Sequence, residues 1–214
     1  MISFAFVTKD KGYLISQTTI NQDIMRIKES KNEVDNINNI LVNVSGKNSD
    51  IRYVRSLLNC KNDQYRVFYG NEVNISMLSN IARSRIYNEL RKEPVKDINI
   101  LMLSVNNNNS NTVYNDNSNT VYNDNSNINN NFNLIHIDNY SAINKSNFIA
   151  TNYGMYFLYG IADTYYTYDM NHDQAVDLIN RCIKALKEKM VLDASKWRMD
   201  VLDKNNEQEI QYIE

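Results

Sequence analysis

The sequence predicts an α+β fold of antiparallel sheets with helices packed in pairs on their outer faces. Three observations carry that expectation. Strand and helix signals come in blocks (strands, two helices, strands, two helices, strands), whereas a doubly wound parallel sheet would alternate them singly. The 214 residues amount to one domain, interrupted by one polar insert. Hydrophobic residues make up 43% of the chain, enough to build the core of a domain this size.

The elements follow in order. Residues 3–7 and 13–18 are β-rich runs on either side of a polar turn, which reads as a hairpin. Residues 40–44 form a third strand, ended by Ser45 and Gly46. Ser49 is placed to cap a helix in which Ile51, Val54, Leu57, Leu58 and Tyr65 fall at helical spacing and which Gly70 ends. A second helix starts at Asn74, carries Met77, Leu78, Ile81, Ala82, Ile86 and Leu90, and stops before Pro94. Residues 98–105 form a strand with Ile98, Ile100, Met102 and Ser104 on one face, and 134–138 and 148–151 continue the strands. Residues 154–164 form an apolar, aromatic helix. The last helix begins at Asn171 with Gln174 completing a capping box, and Ala175, Leu178, Ile179, Cys182, Leu186 and Met190 line its buried stripe. Residues 197–202 and 210–213 finish the chain as strands.

Residues 106–131 stand apart. They are almost purely polar and contain a tandem octapeptide, with Ser110 to Asn117 repeated as Ser118 to Asn125. Such a stretch cannot bury enough apolar surface to offset the entropy of ordering it, so a disordered surface loop between two strands is expected.

Several function classes are excluded. With 23 Lys and Arg against 25 Asp and Glu, the net charge is −2, which removes the cation excess that nucleic-acid binding by counterion release requires. No apolar run reaches membrane-spanning length. Cys60 and Cys182 are far apart, with no CxxC pattern, and are expected as buried, reduced thiols rather than a disulfide or zinc framework. The glycines Gly12, Gly46, Gly70, Gly154 and Gly160 are not spaced for a phosphate-cradling loop or a nucleophile elbow. Two histidines cannot make an HExxH site. His172-Asp173 falls in the first turn of a helix, where the carboxylate favours the dipole. His136 and Asp138 lie two apart on a strand, too few for a metal centre. No catalytic, cofactor-binding or metal residue, and no cofactor, is therefore expected. The cluster Tyr153, Tyr156, Tyr159, Tyr165, Tyr166 and Tyr168 suits packing or a protein–protein contact, because tyrosine offers large contact area with a polar tip.

From Tyr153 onward the residues resemble a known family. Tyr153-Gly154 opening a helix, Gly160-Ile161-Ala162-Asp163-Thr164-Tyr165-Tyr166, then Ala175-Val176-Asp177-Leu178-Ile179 and Val201-Leu202-Asp203-Lys204-Asn205 look like the second half of a proteasome beta subunit. Among these, they look most like the non-catalytic type-2 subunit of the fourth ring position. Tyr13-Leu14-Ile15-Ser16 fits the family's second strand, and the departure is residues 106–131. The resemblance implies the four-layer αββα sandwich of N-terminal nucleophile hydrolases, in agreement with the block order.

In active members, the resemblance implies an N-terminal threonine that is both nucleophile and, through its amine, proton acceptor. Here Met1, Ile2 or Ser3 occupies that place, and no glycine precedes Thr, Ser or Cys, so no propeptide cleavage is expected. The family's aspartate falls at Thr18, its lysine at Glu33 with Lys31 out of register, and its helix-start serine at Tyr153. Asp193-Ala194-Ser195 only superficially matches the remaining motif. A carboxylate in place of the lysine inverts the local electrostatics. The expected role is thus that of a structural, non-catalytic beta subunit of the 20S core particle. It would help enclose the chamber for ubiquitin-dependent degradation, with alpha subunits and beta subunits of both inner rings as partners, in cytoplasm and nucleus. The tyrosine-rich helix region and residues 206–214 are the candidate contacts. A stand-alone N-terminal nucleophile hydrolase and a monomeric protein-binding module are the alternatives.

Overall fold

A computed structural model describes residues 2–22, 25–29, 34–92, 97–106, 131–190 and 196–213. The octapeptide repeat with the rest of 107–130, Met1, Lys31, Glu33, Pro94, the Asp193-Ala194-Ser195 segment and Glu214 lie outside them.

The elements run β1 (Ser3–Val7), β2 (Lys11–Gln17), β3 (Thr19–Gln22), β4 (Met25–Glu29), β5 (Val34–Ile37), β6 (Ile40–Gly46), α1 (Asn48–Tyr69) and α2 (Ile75–Glu89). Then come β7 (Ile98–Val105), β8 (Phe132–Ile137), β9 (Ile143–Lys145), β10 (Phe148–Ala150), α3 (Met155–Tyr165), α4 (His172–Lys189), β11 (Trp197–Asp203) and β12 (Gln208–Ile213). One five-stranded sheet has the order β10-β1-β2-β11-β12 and the other β5-β6-β7-β8-β9; β3 and β4 pair separately. Every neighbouring pair is antiparallel. The ends of the insert meet where Asn106 N–H donates to the Asn131 carbonyl at 2.7 Å, at the tip of the β7–β8 hairpin.

Period-two alternation sorts the side chains into three layers. Phe4, Phe6, Tyr13, Ile15, Trp197 and Met199 of the first sheet pack against Leu158, Ala162, Leu178, Ile179 and Cys182 of α3 and α4. Val42, Val44, Ile100 and Met102 of the second pack against Val54, Leu58, Leu78 and Ala82 of α1 and α2. Between the sheets lie Ala5, Val7, Leu14, Leu41, Leu101, Leu103 and Leu202. The order is therefore helix pair, sheet, sheet, helix pair. Phe4, Phe6, Tyr13 and Phe148 form a stacked aromatic row, with Phe6 and Tyr13 centroids 4.8 Å apart.

Local signals explain the helix ends. Asn74 accepts from Met77 N–H at 2.8 Å, and Asn171 and Gln174 form the expected capping box. Gly70 closes α1 in the left-handed conformation, its N–H on the Arg66 carbonyl. Gly46 ends β6 at φ +150°, and a Cβ there would sit 2.2 Å from the Asp97 carbonyl oxygen, so only glycine lets the chain leave the sheet here.

Four expectations are corrected. Lys47 rather than Ser49 is the N-cap of α1, without a side-chain cap bond, and Ser49 sits inside the first turn. Strands β3, β4 and β5 occupy a stretch read as connection, and β9 was likewise unexpected; all four are short, and β3, β5 and β9 are polar, without apolar alternation. Cys60 is exposed, because Val54, Leu58 and Asn62 define the buried face of α1 and Cys60 lies off it; Cys182 is buried as expected. Met190 is partly buried and follows α4 rather than ending its stripe.

β11 carries a buried ion pair. Arg198 Nε and Nη2 donate to the two Asp200 oxygens at 2.8 and 2.7 Å, and Gln208 Nε2 adds a third bond at 2.7 Å. Replacing Asp200 by Ala would remove both carboxylate bonds from a buried guanidinium. Asp200→Ala is expected to lower the unfolding free energy by about 3–5 kcal/mol, read by urea denaturation; a loss under about 1 kcal/mol would contradict that placement of the pair.

Candidate functional site

The layer between the sheets changes character along its length. At one end it is aliphatic. At the other, the same alternating positions carry Ser3 on β1, Ser16 on β2 and Arg198 on β11, which lie side by side in register, Ser3 opposite Ser16 and Ser16 opposite Arg198. Across from them β6 contributes Asn43 and Ser45, β7 Asn99 and β8 His136. Thr151 and Asn152, leading from β10 into the Asn152–Gly154 turn, join this end.

His136, Asn99, Asn152 and Ser45 are joined in a directed chain of hydrogen bonds, whereas the buried Ser16 Oγ and Asn43 Oδ1 stand outside it. His136 Nε2 lies 3.3 Å from Asn99 Oδ1. Asn99 Nδ2 donates to Asn152 Oδ1 at 3.1 Å, Asn152 Nδ2 donates to Ser45 Oγ at 3.2 Å, and Ser45 Oγ donates back to the Asn99 carbonyl at 3.4 Å. With both amides oriented this way, Asn99 Oδ1 needs a donor, which fixes the proton of His136 on Nε2. Burial holds the His136 pKa below its usual range, against the opposing pull of Asp138. Asn152 adopts φ +55°, a conformation asparagine tolerates better than most residues, and so its amide can span the two sheets.

The positions the resemblance singled out fare as follows. Ser3 is completely buried. Its hydroxyl lies 2.9 Å from Thr151 Oγ1, its N–H donates to the same oxygen at 3.2 Å, and Thr151 Oγ1 in turn donates to the Ser3 carbonyl at 2.9 Å. The N–H, hydroxyl and carbonyl of Ser3 are thus all spent on Thr151. Ile2 N–H donates to Gln17 Oε1 at 3.3 Å, and its side chain reaches the start of α3, where a Cβ on Gly154 would lie 2.6 Å from Ile2 Cγ2. Thr18 is buried and donates to the Lys196 carbonyl at 3.1 Å. Tyr153 points to solvent. Ser3, Thr18 and Tyr153 therefore form no catalytic grouping with one another.

The other sequence candidates separate. His172 Nδ1 is 2.9 Å from the Tyr13 hydroxyl, whose pKa burial pushes up to about 12. Asp138 accepts from Tyr140 and Ala142 N–H in a turn and makes no pair with His136. Burial likewise pushes the Cys182 thiol up to about 12, which leaves it inert. The tyrosine cluster divides. Tyr166 turns inward and donates to the Val7 carbonyl at 2.6 Å, and Tyr168 packs on the inter-sheet layer. Tyr153 in the Asn152–Gly154 turn and Tyr156 on α3 are each 72% exposed, and Tyr159 and Tyr165 of α3 are exposed as well. Arg181 lies 4.7 Å from the Tyr165 ring centroid. A groove between α1 and α2 is lined by Leu57, Met77, Ile81 and Arg85, and no carboxylate, histidine or cysteine lines it. Among the described residues no group of three metal-ligating side chains occurs, and no helix is long and apolar enough to cross a membrane.

The asparagine network was invisible to motif searching, although Ser45 ending an apolar strand was a usable signal.

Comparison with known proteins adds two findings. Residues 127–202 match the proteasome subunit family; the described part of that span runs from the start of β8 almost to the end of β11. The proteasome subunit beta type-2 of Oryza sativa subsp. japonica is 33% identical over 57 residues, 27% of this chain and 27% of the rice protein. The match thus spans about a quarter of that curated relative.

His136 generates a testable pH dependence. Its folded pKa lies below the unfolded value of 6.5, so the unfolded chain binds a proton more readily. The stability contribution is complete above pH 6.5 and is lost as the pH falls through the folded value. Urea midpoints are expected to drop on acidification below pH 6.5, and His136→Gln is expected to flatten that part of the profile. An unchanged profile in the variant would contradict the buried neutral imidazole.

Proposed function

We propose that the chain is a non-catalytic beta subunit of the 20S proteasome core particle, of the type-2 kind at the fourth ring position, with the sandwich of N-terminal nucleophile hydrolases. The observation that carries this reading is the family match over residues 127–202, the span that forms three strands of the second and first sheets, the helix pair α3–α4 and most of β11. The similarity to a beta type-2 subunit supports the finer assignment.

The role is geometric. Alpha subunits on one side and beta subunits of the same and the opposite ring on the others would bury the flanks of this chain and enclose the peptidase sites that neighbours carry. In that way the assembly degrades ubiquitin-marked proteins in cytoplasm and nucleus. Such a role requires large obligate interfaces, rich in aromatic residues. Tyr153 in the turn before α3, Tyr156, Tyr159 and Tyr165 on α3, and Val67, Phe68 and Tyr69 at the exposed end of α1 supply exposed residues of that kind.

The absence of chemistry in this subunit is supported by Ser3. A nucleophile of this class needs a free amine next to the attacking oxygen and an open path for substrate. Ser3 has its N–H and its hydroxyl committed to Thr151 and is fully buried.

The experiment is native purification of the tagged chain from its own cells, with the complex sized and its members identified by mass spectrometry. A very large assembly containing alpha and beta proteasome subunits is expected. Recovery as a lone 25.0 kDa species would overturn the reading and leave a monomeric binding module using the tyrosine face.

A further inference from the structure

Strand β12 is the outermost strand of the first sheet, next to β11. Unpaired among the described residues, its outer edge differs from the other three outer edges of the two five-stranded sheets. β10 and β9 are three residues long and β5 is four, the short edges that resist unwanted pairing. β12 runs for six residues, Gln208–Ile213, with no proline, glycine or lysine. Of the usual devices that blunt an edge strand it carries a single charge, Glu209.

The backbone groups it offers can be named. Asp203 N–H donates to the Glu207 carbonyl, and the β11–β12 register pairs Val201 with Glu209, Met199 with Gln211 and Trp197 with Ile213. In an antiparallel ladder hydrogen-bonded pairs recur every second residue. Glu209, Gln211 and Ile213 therefore bond to β11, while the N–H and C=O groups of Gln208, Ile210 and Tyr212 point outward. On the face toward the second sheet the same three residues project their side chains, and there Ile210 is 48% and Tyr212 61% exposed. The strand is also held rigidly. Gln208 donates to Asp200 and accepts from Asn36 Nδ2 of β5 at 2.8 Å, which ties the edge to both sheets.

We infer that β12 is a pairing edge that receives an extended segment of a neighbouring subunit as a sixth strand, with apolar side chains at alternate positions to cover Ile210 and Tyr212. Main-chain bonds to Gln208, Ile210 and Tyr212 give the affinity, and the two exposed side chains set the register. This rests on the ring-subunit reading and names one contact of it. The pinned strand binds without an ordering cost, which is the advantage of a preformed template over a free tail.

The test uses the full chain, free and in its native assembly. Hydrogen–deuterium exchange is followed in the peptide spanning residues 207–213. In the free chain the amides of Gln208, Ile210 and Tyr212 exchange fast; in the assembly all three are expected to slow by about a hundredfold. Ile210→Pro removes one outward N–H and no bond to β11, so the free variant should keep its thermal midpoint while its recovery in the assembly falls by about tenfold. Equal exchange of the three amides in free and assembled wild-type chain would overturn the pairing edge and leave the ring-subunit reading intact. A wild-type chain that enters no large assembly would overturn both. Should Ile210→Pro fail to fold, the wild-type exchange comparison decides alone.

Discussion

Strand β1 has no free surface, and the rest of the molecule is arranged around that constraint. β2 and β10 occupy its two edges. Phe4 and Phe6 are covered by α3 and α4, and Ala5 and Val7 face the second sheet. A strand enclosed on four sides can carry polar groups only if each finds a partner inside the protein. Ser3 meets that demand by spending its N–H and hydroxyl on Thr151, and the demand spreads outward from there. Thr151 leads into Asn152, Asn152 reaches across to Ser45 and Asn99, and Asn99 reaches His136.

This network turns one end of the inter-sheet layer into a polar joint. Aliphatic packing at the other end is non-directional and would tolerate sliding of one sheet over the other. Amide and imidazole bonds are directional and fix the relative placement of β10, β6, β7 and β8. The Arg198–Asp200 pair, with Gln208 and Asn36, does the same between β11, β12 and β5. These two clusters hold the sandwich to one geometry, as the proposed role in a ring would require. A site for chemistry would need the opposite, namely unspent donors and acceptors that substrate can reach.

Much of this was legible in the sequence, and the failures have physical reasons. The apolar strands and the amphipathic α4 followed directly from periodicity, and the Asn74 and Asn171 caps and the Gly70 stop from local chemistry. Strands β3, β5 and β9 were missed because they are short and polar, so pairing rather than propensity makes them strands, whereas the alternation of Met25, Arg26, Ile27 and Lys28 in β4 was a legible signal passed over. The Arg198 and Asp200 alternation in β11 gives the pattern of a strand with one wet face. Only the register with β2 shows that both are buried, since the face they share belongs to the inter-sheet layer. The asparagine network was hidden by composition: in a chain this rich in asparagine, Asn43, Asn99 and Asn152 do not stand out until the fold brings two of them, Asn99 and Asn152, into one hydrogen-bonded chain.

The central claim is that the first strand of this chain is structural in the proposed assembly. It is tested most directly by purifying the intact native assembly with Ser3→Ala in this chain and measuring hydrolysis of a panel of fluorogenic peptides. The account predicts an assembly of normal size with every peptidase activity unchanged. Selective loss of one activity from an assembly of normal size and composition would contradict it, because Ser3 would then be acting on substrate rather than on Thr151.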